Sequence, residues 1–162
     1  MGIKQKCYAR WYWVVLIVGV WAFDRFTKHW AETTLQWGMP VPVMPHLNWT
    51  LNYNMGVAFG FLHNHAWQSV LVLWGTGMLI VGLCVWLWRS RDTVRTALPL
   101  SLVIGGALGN WWDRLHHNPV IDFIDCYWGH WHFAIFNVAD TFICVGMGIL
   151  LLWPCRTKCS SH

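Results

Sequence analysis

Asp122 and Asp140 stand 18 residues apart, separated by a loop that contains Gly129, so the two carboxylates belong to different elements that a fold could bring together. Two carboxyls held within about 3 Å cannot both ionise, and the pair then shares a proton. The ionised member can draw a proton from water while the protonated member polarises a scissile carbonyl, a hydrolysis that needs neither metal nor thiol. From spacing alone the pair serves equally as a buried ion-pair network, a proton relay or a protease dyad.

Other polar residues recur at helical spacing. Asp24 and Lys28 are related as i,i+4, Asn110 faces Asp113 and Arg114 at i,i+3 and i,i+4, and Asn137 faces Asp140 at i,i+3. Asp24 with Lys28 and Asp113 with Arg114 read as structural ion pairs. Cys126 sits beside Asp125 with His130 and His132 close by, but no cation is placed to activate its thiol. Ser101 has no candidate base, and His63, His65, His116, His117, His130 and His132 lack the His-Glu-x-x-His spacing of a metalloprotease. Cys84 and Cys144 lie in apolar runs, and Cys155 and Cys159 in a short basic tail without the partners of a zinc site. No metal and no cofactor is expected.

These groups have to be positioned by a chain of 162 residues that is 56% hydrophobic and only 11% charged. Soluble domains carry about 25% charge, so lipid is the implied solvent. One domain over 1–162 is expected. Spans over about 11–30, 66–88, 96–112 and 133–153 each offer roughly the 20 residues that a hydrocarbon core requires. The first follows Lys4, Lys6 and Arg10 without a small-x-small cleavage site and reads as a retained helix. Those residues, Arg89, Arg91 and Arg95, and Arg156 and Lys158 place both termini and the second connection in the cytoplasm. Many of the fifteen Trp residues fall at span ends, as interfacial anchors do. In the outer segment 32–65, Leu47, Trp49, Leu51 and Tyr53 alternate with Asn48, Thr50, Asn52 and Asn54, the period of a half-buried strand on the membrane surface.

Ionisable residues within spans cost about 2.5 to 3.5 kcal/mol or more near a bilayer centre, so each needs a partner or a task. Asp24, Asn110 and Asp140 all fall 13 or 14 residues from the cytoplasmic ends of their spans. At 1.5 Å per residue they share a layer about 20 Å from the inner boundary. A polar cleft toward the outer face follows, whereas a proton-coupled carrier built on Asp24 or Asp140 would want its charge near mid-membrane.

Five blocks sharpen this reading: Asp24-Arg-Phe-Thr-Lys28, Asn54-Met-Gly-Val-Ala-Phe59, Gly105-Gly-Ala-Leu-Gly-Asn-Trp-Trp-Asp-Arg114, Val120-Ile-Asp-Phe123 and Phe136-Asn-Val-Ala-Asp140. In that order they resemble the signature blocks of the bacterial lipoprotein signal peptidases, or signal peptidase II. The resemblance implies an all-α membrane protein of four transmembrane helices with a small periplasmic β-sheet cradle. It implies an aspartic endopeptidase of the bacterial inner membrane, with a periplasmic active site, that cuts a prolipoprotein just before its diacylglyceryl cysteine. Asp122 and Asp140 then match the catalytic pair, and Asp24, Lys28, Asn54, Gly56, Asn110, Arg114 and Asn137 the supporting or substrate-binding residues. Gly105, Gly106 and Gly109 allow close helix contact or room for an extended peptide. Asp125 matches no signature position. The partners implied are the lipidated prolipoprotein and membrane lipid, with no nucleic acid, and the chain is expected to act as a monomer.

The basic residues fix the first testable expectation. Reporter fusions should place both termini and the loop around Arg91 in the cytoplasm and Asn48 and His130 outside; a periplasmic tail beyond Trp153 would overturn the orientation and the shared polar layer.

Overall fold

The computed structural model describes residues 2–55, 66–90, 94–116 and 119–152. Four helices, α1 (Gly2–Thr34), α2 (Ala66–Arg89), α3 (Ala97–His116) and α4 (Val138–Leu152), are joined by a small antiparallel sheet. The central helix is α3, which packs against the other three. Small residues make this possible. A Cβ on Gly105 would strike the Val20 side chain of α1, one on Gly106 the Ala139 carbonyl of α4, and one on Gly109 the Asp24 carboxylate. The three glycines therefore serve close helix contact and, at Gly109, entry of a polar side chain. Leu100, Ile104 and Ala107 of α3 complete a buried cluster with Ile80 of α2.

The opposite face of α2 has no protein partner among the described residues: Leu71, Trp74, Met78, Leu79, Val81 and Trp86 are all exposed. Its segment Val70–Arg89 has mean hydropathy 2.3 and is long and apolar enough to cross a membrane. Trp11, Val15 and Val18 of α1 are exposed in the same way.

The sheet runs β1 (Val41–Met44), β2 (Leu47–Asn54), β3 (Val120–Trp128) and β4 (Trp131–His132), in that order. Only its first half comes from the outer segment where the sequence pattern placed a strand. The other half is the connection between α3 and α4, so Asp122 stands on a strand rather than in a loop. The alternation in β2 also works out differently. Asn48 and Thr50 are buried while Leu47 and Trp49 are only partly so, and Leu51 is buried after an irregularity in the pairing between Trp49 and Asn52. Such an irregularity reverses which side chains face inward. Beyond it, Leu51 joins Ile121 and Phe123 of β3 against Ala31 of α1 and Leu35 in a second core.

Helix α4 starts five residues after Phe133, where the fourth span was expected to begin. Phe133–Phe136 is extended and bonded to β3: Phe133 N–H donates to the Cys126 carbonyl at 2.8 Å and Phe136 N–H to that of Ile124 at 3.1 Å, while the Phe136 carbonyl accepts from Phe123 and Ile124. Gly56, His63, His65, Arg91, His117, Trp153, Cys155, Arg156, Lys158 and Cys159, to which expectations were attached, lie outside the described residues.

Close packing at Gly106 has a measurable cost when broken. Gly106→Val should lower stability in detergent by about 1–3 kcal/mol, because the α4 backbone cannot yield as a side chain would. Gly82→Ala, which meets nothing within 4 Å, is the matched control in thermal unfolding.

Candidate active site

Between α1 and α3 the Lys28 ammonium is wholly buried, and its donors are directed at three partners. Its Nζ lies 2.8 Å from Asp24 Oδ2 and 2.7 Å from Asp113 Oδ2, and donates to Asn110 Oδ1 at 2.9 Å. Arg25 reaches the other oxygen of Asp113. Two cations and two carboxylates thus neutralise one another, the condition on which charges can be held away from water. Asp113 pairs with Lys28 and Arg25 and not, as expected, with Arg114, because adjacent side chains on a helix diverge. Arg114 instead donates to the Asn110 carbonyl at 3.3 Å, with Asp140 foremost among the carboxylates within its electrostatic reach.

The ion cluster holds both elements that carry the paired aspartates. Asp24 Oδ1 accepts the N–H of Ala139, in the first turn of α4, at 2.9 Å, and Asp113 Oδ2 receives the N–H of Ile121, next to Asp122, at 3.5 Å. Asn137 caps α4. Its Oδ1 accepts the Asp140 N–H at 2.9 Å while Asp140 Oδ2 accepts the Asn137 N–H at 3.2 Å, a reciprocal capping box. With its oxygen so engaged, the Asn137 amide turns Nδ2 outward, to Asp122 Oδ1 at 2.7 Å and Asn110 Oδ1 at 3.0 Å.

Each carboxylate of the pair is held at both oxygens. Asp122 Oδ2 accepts from Asn54 Nδ2 at 3.0 Å, and Asp140 Oδ1 accepts from Asn110 Nδ2 at 2.8 Å. Asp122 is 1% exposed. Burial, with the nearby charge of Asp140, pushes its carboxyl up to about 6 against the opposing hydrogen bonds from Asn54 and Asn137 and the charge of Lys28. Both aspartates line one cavity of about 480 Å³, walled by Phe133–Phe136 and by Thr141, Cys144 and Val145 of α4. An acid with raised proton affinity beside a second carboxylate on an apolar cavity can relay protons to a bound amide.

The structure brings together Asp24, Lys28, Asn54, Asn110, Arg114, Asn137, Asp122 and Asp140. The cysteine alternative is not assembled, because the His132 ring meets Asp125 and not Cys126. The Ser101 hydroxyl is spent on the Ala97 carbonyl of its own helix. Among the described residues no three His, Cys, Asp or Glu side chains gather around a metal position. Two residues were passed over in the sequence. Arg25 lies inside the Asp24–Lys28 block and only its i,i+1 position hid it, while Asp125 is buried against Asn48, Thr50 and His132, two of which lie on a strand 75 or more residues away.

Residues 16–156 match a family model described as Signal peptidase (SPase) II. The chain belongs to the signal peptidase II family. Relatives of this signal peptidase II chain include the "Lipoprotein signal peptidase" of Coxiella burnetii (strain Dugway 5J108-111), 43% identical over 160 residues and covering 98% of both chains. That of Shewanella sediminis (strain HAW-EB3) is 41% identical over 145 residues, 88% of this chain and 81% of the relative. A solved structure described as "Bacterial membrane enzyme structure by the in meso method at 1.9 A resolution" superposes with TM-score 0.79 at 30% identity, covering 90% of this chain and 94% of the other.

The Asp122 environment predicts a pH signature. Between the ordinary value of 3.8 and about 6 the folded protein keeps a proton that the unfolded chain has released, so stability falls as pH rises through this window. Asp122→Asn removes that slope. Relative to the variant, the wild type should lose about 2 kcal/mol between roughly pH 4 and 6.5, read by thermal unfolding in detergent.

Proposed function

We propose that the chain is an aspartic endopeptidase that removes signal peptides from diacylglyceryl-modified prolipoproteins, cleaving on the amino side of the lipidated cysteine. The observation that carries the aspartic mechanism is the cavity itself: Asp122 and Asp140, from a strand and a helix start, line it together and are linked through one residue, Asn137, whose Nδ2 donates to Asp122 and whose backbone N–H donates to Asp140. Membership of the signal peptidase II family and the names of its relatives support the substrate class.

In the proposed cycle Asp122 carries the shared proton and gives it to the scissile carbonyl oxygen. Asp140, an acceptor at both oxygens and seated in the first turn of a helix, where the dipole favours an anion, takes a proton from the attacking water. Asn54 and Asn137 orient Asp122, and Asn110 orients Asp140. As the C–N bond breaks, Asp140 gives its proton to the leaving amine and a hydroxyl of the tetrahedral intermediate returns a proton to Asp122, which completes hydrolysis and restores the pair.

The chain is read as a single domain of four spans in a bacterial inner membrane, with cytoplasmic termini and the sheet on the periplasmic side. The exposed apolar faces of α1 and α2 support that setting. The pair at the outer end of α4 lies where two acyl chains would anchor the modified cysteine. The enzyme acts as a monomer.

Asp122→Asn and Asp140→Asn should each reduce turnover of a diacylglyceryl prolipoprotein by about 10²–10⁴-fold or more, and the double variant should be hardly worse than either single one. Loss of the signal peptide on a gel, with folding checked by thermal unfolding, measures this. Full activity in either variant would remove the aspartic mechanism.

A further inference from the structure

One buried acid has no part in the proposed cycle or in the ion cluster around Lys28 that supports it. Asp125 is three residues beyond Asp122 on β3, an odd spacing that puts the two carboxylates on opposite faces of the strand. It is 3% exposed, and no Lys or Arg is paired with it among the described residues. Its oxygens gather donors from two neighbouring strands. Oδ2 accepts from Asn48 Nδ2 and Thr50 Oγ1 of β2, both at 3.2 Å, and Oδ1 meets His132 Nδ1 of β4 at 2.9 Å. Burial, the largest influence, would raise this carboxyl, but the hydrogen bonds from His132, Asn48 and Thr50 and the imidazole charge together hold it below the usual value. It is therefore kept as a carboxylate where an apolar residue would be the simpler filling.

What Asp125 secures is His132, the last residue of β4, and with it the entry to Phe133–Phe136. That extended segment walls the cavity beside Asp122 and Asp140 and leads directly into the Asn137 cap. The backbone bonds of Phe133 and Phe136 to β3 fix it on one edge only. The two strand residues between Trp128 and Phe133 that pair with β3 are Trp131 and His132, and His132 is stacked on Tyr127 with ring centroids 5.3 Å apart. With so short a strand, the side-chain bond to Asp125 adds to the Gly129 turn and the backbone bonds that set its register.

We propose that Asp125 and His132 are positioning residues for substrate capture: their bond holds the 133–136 strap in the register that shapes the cavity wall. They touch neither the reacting carbonyl nor the water, so they act on the fit of the substrate and not on the proton transfers. The effect on capture rests on the proposed peptidase function, whereas the fastening of the strap does not.

The test uses the full chain in detergent micelles. His132 is 54% exposed at its side chain, so its variants leave the core untouched. His132→Ala should raise KM for a diacylglyceryl prolipoprotein about three- to tenfold, the worth of one hydrogen bond, with kcat within about twofold. His132→Asn, which returns an N–H donor near the Nδ1 position, should restore most of the loss. Asp125→Ala, which removes the acceptor, should cost at least as much as His132→Ala, and the Asp125→Ala/His132→Ala double variant should be no worse than Asp125→Ala alone. Independently of activity, hydrogen exchange followed by mass spectrometry should show the amides of 133–136 exchanging faster in His132→Ala and recovering in His132→Asn. If Asp125→Ala does not fold, the two His132 variants decide alone. Equal behaviour of the Ala and Asn variants, a fall confined to kcat, or unchanged exchange in the strap would overturn the proposal. A wild type that leaves the prolipoprotein uncut while the exchange pattern holds would overturn the proposed function and leave the strap standing.

Discussion

Lys28 is the constraint on which the rest of the structure depends. An ammonium with no access to water is tolerable only if each of its protons meets an acceptor, and here the acceptors come from α1 itself and from two positions on α3. Each acceptor is then fixed well enough to do something else. Asp24 holds the first turn of α4, Asp113 holds the backbone beside Asp122, and Asn110 reaches Asp140. The charge cluster is thus a template for the paired aspartates, one layer of side chains away from them. Removing Lys28 would leave two carboxylates buried with only Arg25 to balance them.

Much of this could be read from the chain because helical periodicity and membrane solvation are local rules. Asp24 with Lys28, Asn110 in its glycine-rich block, and Asn137 with Asp140 sit at spacings that report a shared face, and an apolar surrounding makes every charge conspicuous. Pairings between elements were less legible. Asp113 stands next to Arg114 in sequence, yet its partners come from a helix more than 80 residues earlier, a choice that only packing makes.

The sheet was legible in part. Alternation in β2 was visible, but the pairing irregularity between Trp49 and Asn52 moves the buried set from Asn48 and Thr50 to Leu51, and nothing in composition marks that point. The acid that draws Asn48 and Thr50 inward, Asp125, belongs to a strand that carried no clean alternation because both of its faces are largely covered. The short extended run before α4 was hidden for a related reason: Phe133, Ile135 and Phe136 are as apolar as a helix in lipid, and only their bonding to β3 distinguishes them.

The cap of α4 carries a consequence for any molecule designed to block the cavity. The free N–H groups at a helix start need acceptors, and here Asn137, Asp140 and Asp24 supply them, the first two being also the residues that orient or form the paired acids. An inhibitor that takes its hydrogen bonds from this cap would meet residues under two selective pressures at once. A substitution that loosens the inhibitor would also unravel the first turn of α4, so escape by mutation at these positions would cost the bacterium the fold of the protein it is trying to protect.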